Sequence, residues 1–296
     1  MAMSYTTLTG GKGAAGSIMN WVSYSRLDVG TVVDEAQSLL YTMLRVREMR
    51  TEWTFGLLAG AAHIALPDRF LDPIGRLFDL TNVTDYGHKI ESDIMKDRAY
   101  DSSPNGALGA NALSFTINSS QVTVNKPAHG LNQDSTFFIS GATAAAGITA
   151  NGAFPVVSIT DADNFVIDVD TQASATITGG GSAMTYTANN LIAATPSRWS
   201  VWDEQLKFDV ALVDPITFKL LYYRSKPLLS ASNPTNFLTN RYPLLMRKAC
   251  QAASADYMKD DTEYQKQVTA LGGLIQTVNA QDDMIYRGAE FGTDTP

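Results

Sequence analysis

Residues 222–267 read YYRSKPLLSASNPTNFLTNRYPLLMRKACQAASADYMKDDTEYQKQ: a strand, a polar connection and two helices. Pro243 stands where the first helix opens, a position whose missing N–H costs nothing, and Asn240 lies just ahead as a candidate cap. Leu245, Ala249, Ala252, Ala253 and Tyr257 recur at helical spacing, and the small residues among them let another helix approach. After a break at Asp260 and Asp261, Tyr264, Val268, Leu271, Ile275 and Val278 alternate four and three apart, a heptad-like seam. Gly272 and Gly273 each cost about 1 kcal/mol relative to Ala inside a helix, which predicts a close contact or a bend. Helices joined by so short a break pair antiparallel.

The bulk composition fits a folded scaffold with polar loops. Of 296 residues, 45% are hydrophobic and 18% charged, ordinary for a globular chain long enough for two domains. The formal charge is -8, and residues 100–190 hold six Asp and one Lys with no Glu or Arg. Affinity for nucleic acid is driven by basic clusters that release counterions, so tight DNA binding is disfavoured. The lone Cys250 excludes an intrachain disulfide and a Cys-based metal site, and its helical setting reads as a small core residue. The N-terminus lacks the pattern of a secretory signal, and no apolar run approaches the roughly 18 residues of a membrane span. Synthesis in the cytosol is expected.

Working back towards the N-terminus, TGGKGAAGS within residues 1–29 lacks the Ser or Thr after Lys12 and the preceding strand of a phosphate loop, so it reads as a flexible arm. A helix is predicted over residues 32–49, with Thr31 and Asp34 as a capping box. Its charged last turn, Arg45, Arg47, Glu48 and Arg50, suits a solvated helix end. From Trp53 short apolar runs punctuated by Gly and Pro predict strands, followed by a helical turn near residues 90–96. His63 and His88 have no ligand partner at metal spacing.

Composition shifts at Asp101 and returns near Asn190. Between them, short β-type runs at 114–117, 121–124, 136–140, 154–159, 164–169, 175–178 and 183–187 predict a small all-β sandwich or barrel inserted into the scaffold. Asp161, Asp163, Asn164, Asp168 and Asp170 form the densest set of oxygen ligands, but the EF-hand spacing is missing and an acidic turn is the better reading. No catalytic, cofactor-binding or metal-ligating residue is assigned. Asp203 with Glu204, or Asp209, is the best available carboxylate pair, and strand neighbours point to opposite faces. The chain is not expected to be an enzyme or to need a cofactor.

The residues VTVNKPAHGL, FFISGATAAAGITANGAFPVVSI and NFVIDV, with Pro127, His129, Gly130, Leu131, Ser140, Gly141, Asn151, Gly152 and Phe165, resemble the small β-domain of many phage tail and virion proteins, similar to the FCCH domain of ubiquitin-activating enzymes. That implies a binding or decorating module over residues 113–187. The flanking blocks resemble the head-to-tail connector (adaptor) proteins of short-tailed phages. Tyr222, Tyr223, Pro227, Leu228, Thr235, Asn236, Pro243 and the 256–261 break carry this, together with MRTEWTF and HIALPDRFLDPIGRLFDL after the first helix.

The expected fold is therefore α+β, a small helical bundle with short antiparallel strands, interrupted by an all-β inserted domain. Residues 30–100 and 191–285 form the adaptor scaffold, 101–190 the insert, and 286–296 a C-terminal tail. The resemblance implies a ring of about twelve copies in the virion neck, assembled in the host cytoplasm. It would dock on the portal protein, receive tail, nozzle or fibre proteins, and let DNA pass without specific binding. Phe291, Tyr286 and Arg287 are the expected portal-docking residues. A tail-associated receptor or carbohydrate-binding decoration protein is the alternative.

Overall fold

The computed structural model describes residues 3–24, 26–102 and 104–290. In chain order come α1 (Tyr5–Leu8), a 3-10 turn (Ile18–Asn20), α2 (Val29–Met43) and a second 3-10 turn (Arg47–Met49). Next are β1 (Arg50–Leu57), β2 (His63–Ala65), β3 (Phe70–Asp79), β4 (Thr84–His88) and α3 (Glu91–Asp97). The middle holds β5 (Tyr100–Asp101), β6 (Asn105–Ala107), β7 (Leu113–Phe115), β8 (Gln121–Asn125), β9 (Thr136–Ser140), β10 (Gly152–Ile159), β11 (Asn164–Asp168), β12 (Ile177–Gly179) and β13 (Thr185–Leu191). Then follow β14 (Ala193–Ala194), β15 (Arg198–Trp202), β16 (Gln205–Phe208), β17 (Ala211–Leu212) and β18 (Ile216–Arg224). The last elements are α4 (Phe237–Arg241), α5 (Pro243–Tyr257) and α6 (Asp261–Glu290).

The chain divides into two compact units: a helical one of Met1–Thr51, Arg69–Pro73 and Tyr222–Pro296, and a β one of Glu52–Asp68 and Ile74–Leu221. In the helical unit, Val32, Val33, Ala36 and Leu40 of α2 share a core with Leu245, Met246, Ala249, Cys250 and Ala253 of α5 and with Leu271 and Ile275 of α6. The N-terminal segment read as a flexible arm contributes Leu8 and Ile18 to that core. The start of α2 also differs from the Thr31–Asp34 expectation. Asp28 is its N-cap, accepting from the N–H groups of Gly30 and Thr31, and the helix gives way at Leu44 to extended backbone. Asn236, not Asn240, supplies the cap of the C-terminal block, and it caps α4. α5 starts on Pro243 with no side-chain cap.

The expectation of an α+β protein organised as a small helical bundle is corrected here. The described residues are predominantly β, with a seven-stranded, a nine-stranded and a two-stranded sheet among them. The seven-stranded sheet has the order β1-β18-β3-β4-β15-β16-β2. Phe218 of β18 lies 5.0 Å from Phe208 of β16, ring centroid to centroid. A flat sheet would hold strands that far apart in the order about 19 Å from each other. The sheet therefore curls on itself around Phe218, which also meets Phe55 at 5.4 Å and Tyr86 at 6.1 Å. The helix periods were legible because they run for fifteen residues or more. Strands such as β2, β14 and β17, two or three residues long, leave no period to read.

The nine-stranded sheet is the inserted region. β8 alternates buried Val122 and Val124 with more exposed neighbours, and β11 answers with Phe165 and Ile167, paired in register as Phe165↔Val124 and Ile167↔Val122. Gly141 is required at its bend: φ is 76°, and a Cβ there would meet the Ala183 carbonyl oxygen at 2.5 Å. The region begins and ends on one ladder, with Asp101 opposite Asn190 and Tyr100 opposite Leu191.

Candidate functional site

The helix seam is the first candidate. Leu245, Ala249, Ala252 and Ala253 of α5 are buried, as are Leu271 and Ile275 of α6, while Tyr264, Val268 and Val278 are half-buried. Gln267, which no apolar pattern marks, is buried beside them. It donates to Glu263 and accepts from Lys248 Nζ at 3.1 Å. That link across the 258–260 turn is what antiparallel helices produce. Gly272 and Gly273 do not mark a close contact, since a Cβ on either would have nothing within 4 Å.

Of the expected portal-docking residues, Phe291 lies outside the described residues, and so do the side chains of Tyr286 and Arg287. Their backbone belongs to α6, which continues to Glu290. What anchors this part of α6 is Asp282, buried to 4% side-chain exposure. Its carboxylate accepts from the backbone N–H of Arg47 at 2.9 Å and from Arg50 Nη2 at 3.2 Å, with Arg47 Nε 3.4 Å away. Arg45 and Arg50 also stand over the Tyr223 ring, each 5.8 Å from its centroid. The charged end read as a solvated helix terminus is thus a bonded joint, with Arg45 turned to Asp72 and Arg241 paired with Glu48.

The second candidate is a cleft of about 860 Å³ in the β unit. Its walls come from the β1–β2 turn (residues 56–61), the 128–133 loop and the 158–162 turn, with Val213 at the edge. Leu58 and Val213 present apolar side chains to it at 73% and 52% exposure. The 128–133 loop contains His129, Gly130 and Leu131, and the His129 side chain has a structural job. His129 Nδ1 accepts from the Leu131 N–H at 2.9 Å, so its Nε2 carries the proton that goes to the Asp161 carbonyl, also at 2.9 Å. Its ring packs 5.0 Å from Phe165. Asn151 closes its own loop through both the N–H and the carbonyl of Ala142.

Beneath the cleft lies a polar joint that sequence reasoning missed. Gln133 uses its whole amide: Oε1 accepts from the N–H groups of Ala62 and His63, and Nε2 donates to Val157 O and to His63 Nε2 at 2.7 Å. His63 Nε2 is therefore an acceptor and Nδ1 bears the hydrogen, with Asp134 Oδ1 2.6 Å away. The other Asp134 oxygen takes Arg98 Nη2 at 2.6 Å, and Arg98 also donates to Phe208 O. Burial pushes the Asp134 carboxyl up, but the His63 hydrogen bond and the Arg98 charge outweigh it and hold it at about 2. A His in a strand and a Gln-Asp pair in a polar turn carry no pattern that links them 70 residues apart.

The acidic set is not one site. Asp161 accepts from the Asp163 N–H and Asn164 Nδ2, and Asp168 accepts from the Asp170 N–H. These two turns sit at opposite ends of β11, about 13 Å apart along the strand. Asp203 and Glu204 are the central residues of the β15–β16 hairpin, both at positive φ (55° and 54°), as a type I′ turn demands. Asp209 is buried and holds Ser197 through its N–H and its Oγ, the latter at 2.6 Å. Cys250 is buried, which pushes its thiol up. Among the described residues no His, Cys, Asp and Glu cluster fits a metal ion, and no helix is long and apolar enough to cross a membrane.

The third feature is a hairpin tip between β3 and β4. Asp79 is buried and accepts from the N–H groups of Thr81 and Asn82, from Asn82 Nδ2, and from Tyr86 Oη at 2.9 Å. Burial and that carboxylate push Tyr86 up to about 12. On this braced turn Phe78 and Leu80 are each 50% exposed and Val83 is 90% exposed. Val83 has φ 55°, a left-handed conformation that costs a β-branched residue roughly 1–2 kcal/mol or more.

Charge divides with the fold. Over their sequence ranges the helical unit has 14 Lys and Arg against 13 Asp and Glu, net +1, and the β unit has 8 against 17, net -9, together the -8 of the chain. A scan of protein-family models returns no match, and a search of curated proteins returns none either. Among solved structures, Phage phi92 endosialidase aligns with 47% of this chain and 20% of its own at 13% identity and a TM-score of 0.24, a likeness that carries no argument about fold or activity.

Proposed function

We propose that this chain is a structural virion protein, a head-to-tail adaptor. About twelve copies would form a ring beneath the portal, extend the DNA channel and dock tail components. The supporting observation is that the two blocks resembling such adaptors, far apart in sequence, share one core. Val32 and Leu40 from the first lie in the same cluster as Leu245 and Ile275 from the second. The chain between and around them runs in the family's order: helix, strand, Leu66-Pro67, strand, then the Tyr222-Tyr223 strand and paired helices. A net negative chain also suits a duct that must not grip phosphates. In this reading Tyr286, Arg287 and Phe291 dock on the portal, and α6 is fixed through Asp282. Mixing the chain with its portal and weighing the product by native mass spectrometry tests the proposal. A stoichiometric ring on the portal is expected, and a monomer that ignores the portal overturns it.

A further inference from the structure

The seven-stranded sheet is open along one long edge. β1 ends the strand order on one side and β2 on the other. Residues 52–57 of β1 lie in the β unit and pair with β18 alone, so every second residue turns its N–H and carbonyl away from the sheet. We propose that this edge is the docking line for an extended segment of a tail protein. The segment adds as a further strand beside β1 and sets an aliphatic side chain into the adjoining cleft. This inference rests on the adaptor reading above and names the surface on which a tail component is received.

Three observations carry it. The first is that the edge is unguarded. Proteins blunt strand edges with shortness, charge, proline or a covering loop. The β2 edge is three residues long, and the Gln133 amide covers it by accepting from the His63 N–H. Residues 52–57, EWTFGL, contain no proline and a single charge, Glu52, which pairs with Lys219 on the neighbouring β18 at 2.7 Å. Glu52, Thr54 and Gly56 are exposed, and among the described residues no loop is hydrogen-bonded to the open side of this stretch.

The second observation concerns what can fill the edge. A row of alternating donors and acceptors is matched by an extended polypeptide backbone, not by a sugar, a lipid or an ion. The other strands with an open side, among them β2, β5, β6 and β12, are two or three residues long. They are too short to cover the 52–57 stretch, about 20 Å of strand. A second copy of this chain therefore offers only β1 itself, and pairing of β1 with β1 is two-fold, which closes a dimer and builds no ring. The portal contact is assigned above to Tyr286, Arg287 and Phe291, which leaves a tail protein as the source of the strand. Third, the edge runs into a recess. Gly56, Leu57 and Leu58 line the cleft of about 860 Å³ together with Ile159 and Val213. Strand addition takes affinity from main-chain bonds and specificity from a pocket that accepts a side chain. Leu58 and Val213 are the exposed aliphatic surface that such a side chain covers.

Hydrogen exchange resolved to single amides over residues 52–57 tests this in three states: the chain alone, the chain on its portal, and the virion that carries the tail. Every second amide should exchange fast in the first two and slow by about tenfold or more in the virion. Full protection in the chain alone means a closed edge, protection that grows with chain concentration means a second copy, and protection on the portal alone means a portal strand. Each of these overturns the proposal. A virion that contains the chain but leaves these amides fast also overturns it, with the adaptor reading left standing, whereas a virion without the chain overturns both. Thr54→Lys gives an independent readout, because an edge lysine blocks strand addition. Thr54 is exposed, so the melting temperature should match the parent. Tail attachment to particles carrying the variant should fall about tenfold, and full attachment of the folded variant overturns the proposal.

Discussion

Asp134 and His63, seventy-one residues apart in sequence, meet at 2.6 Å, so the inserted region and the curled sheet of the β unit share one buried polar joint. Arg98 completes it from the segment just before the insert.

The joint makes stability depend on pH at the acid end. Asp134 is held at about 2, below its ordinary value of 3.8, so its contribution is complete above pH 3.8 and is lost as pH falls towards 2. That shift is on the order of 2 kcal/mol. Asp134→Asn leaves Arg98 buried without its carboxylate and should cost about 3 kcal/mol at pH 7. Urea unfolding of parent and variant from pH 7 to pH 2.5 should show the two curves converging only below pH 4.

Removing residues 101–190 and joining the ends should spare the helical unit and weaken the sheet that the joint supports. Far-ultraviolet circular dichroism should keep its helical signal. The near-ultraviolet signal of buried Trp199 should be lost at a lower denaturant concentration than in the parent. Adding Arg98→Met to the deletion should recover part of that loss, because it removes a charge left without its partner.

Asp282 is the corresponding joint of the helical unit, with bonds to Arg47 and Arg50. Asp282→Ala should cost about 3 kcal/mol. Amide exchange should quicken in α6 beyond Ile275 more than in α5, and uniform protection across both helices would exclude this anchoring role.

Replacing Gly272 and Gly273 by Ala should stabilise the isolated chain by about 1 kcal/mol each, since both are helical and a Cβ meets nothing within 4 Å. Thermal denaturation of the double variant checks this. A stabilised chain that no longer assembles on the portal would locate a subunit contact on that face of α6.

The parts legible in the sequence were those with a long period or a clear alternation. α5 and α6 announced themselves through Leu245, Ala249, Leu271 and Ile275, and β8, β9 and β11 through alternating residues such as Val122 and Val124. The fold class was misread because the seven-stranded sheet is assembled from pieces as short as His63–Ala65, placed beside strands more than a hundred residues away. Partners such as Trp199 and Tyr86 O, or Gln37 and the Leu229 N–H, are joined by tertiary geometry alone. The same holds for the candidate sites. His129, Gly130 and Leu131 could be seen, but the task of Gln133 and Asp134 depends on His63 and Arg98, and the tip became visible only through the backbone of Val83.

Because Asp101 faces Asn190 across one ladder, the chain leaves the scaffold and returns to it at nearly the same point. Loop closure grows only slowly with length, so a module entering and leaving on paired strands adds little entropic cost to the host fold. That makes the 101/190 rung a natural graft point for recombination. A replacement module would need to bring an antiparallel pair at its ends and a carboxylate to meet Arg98.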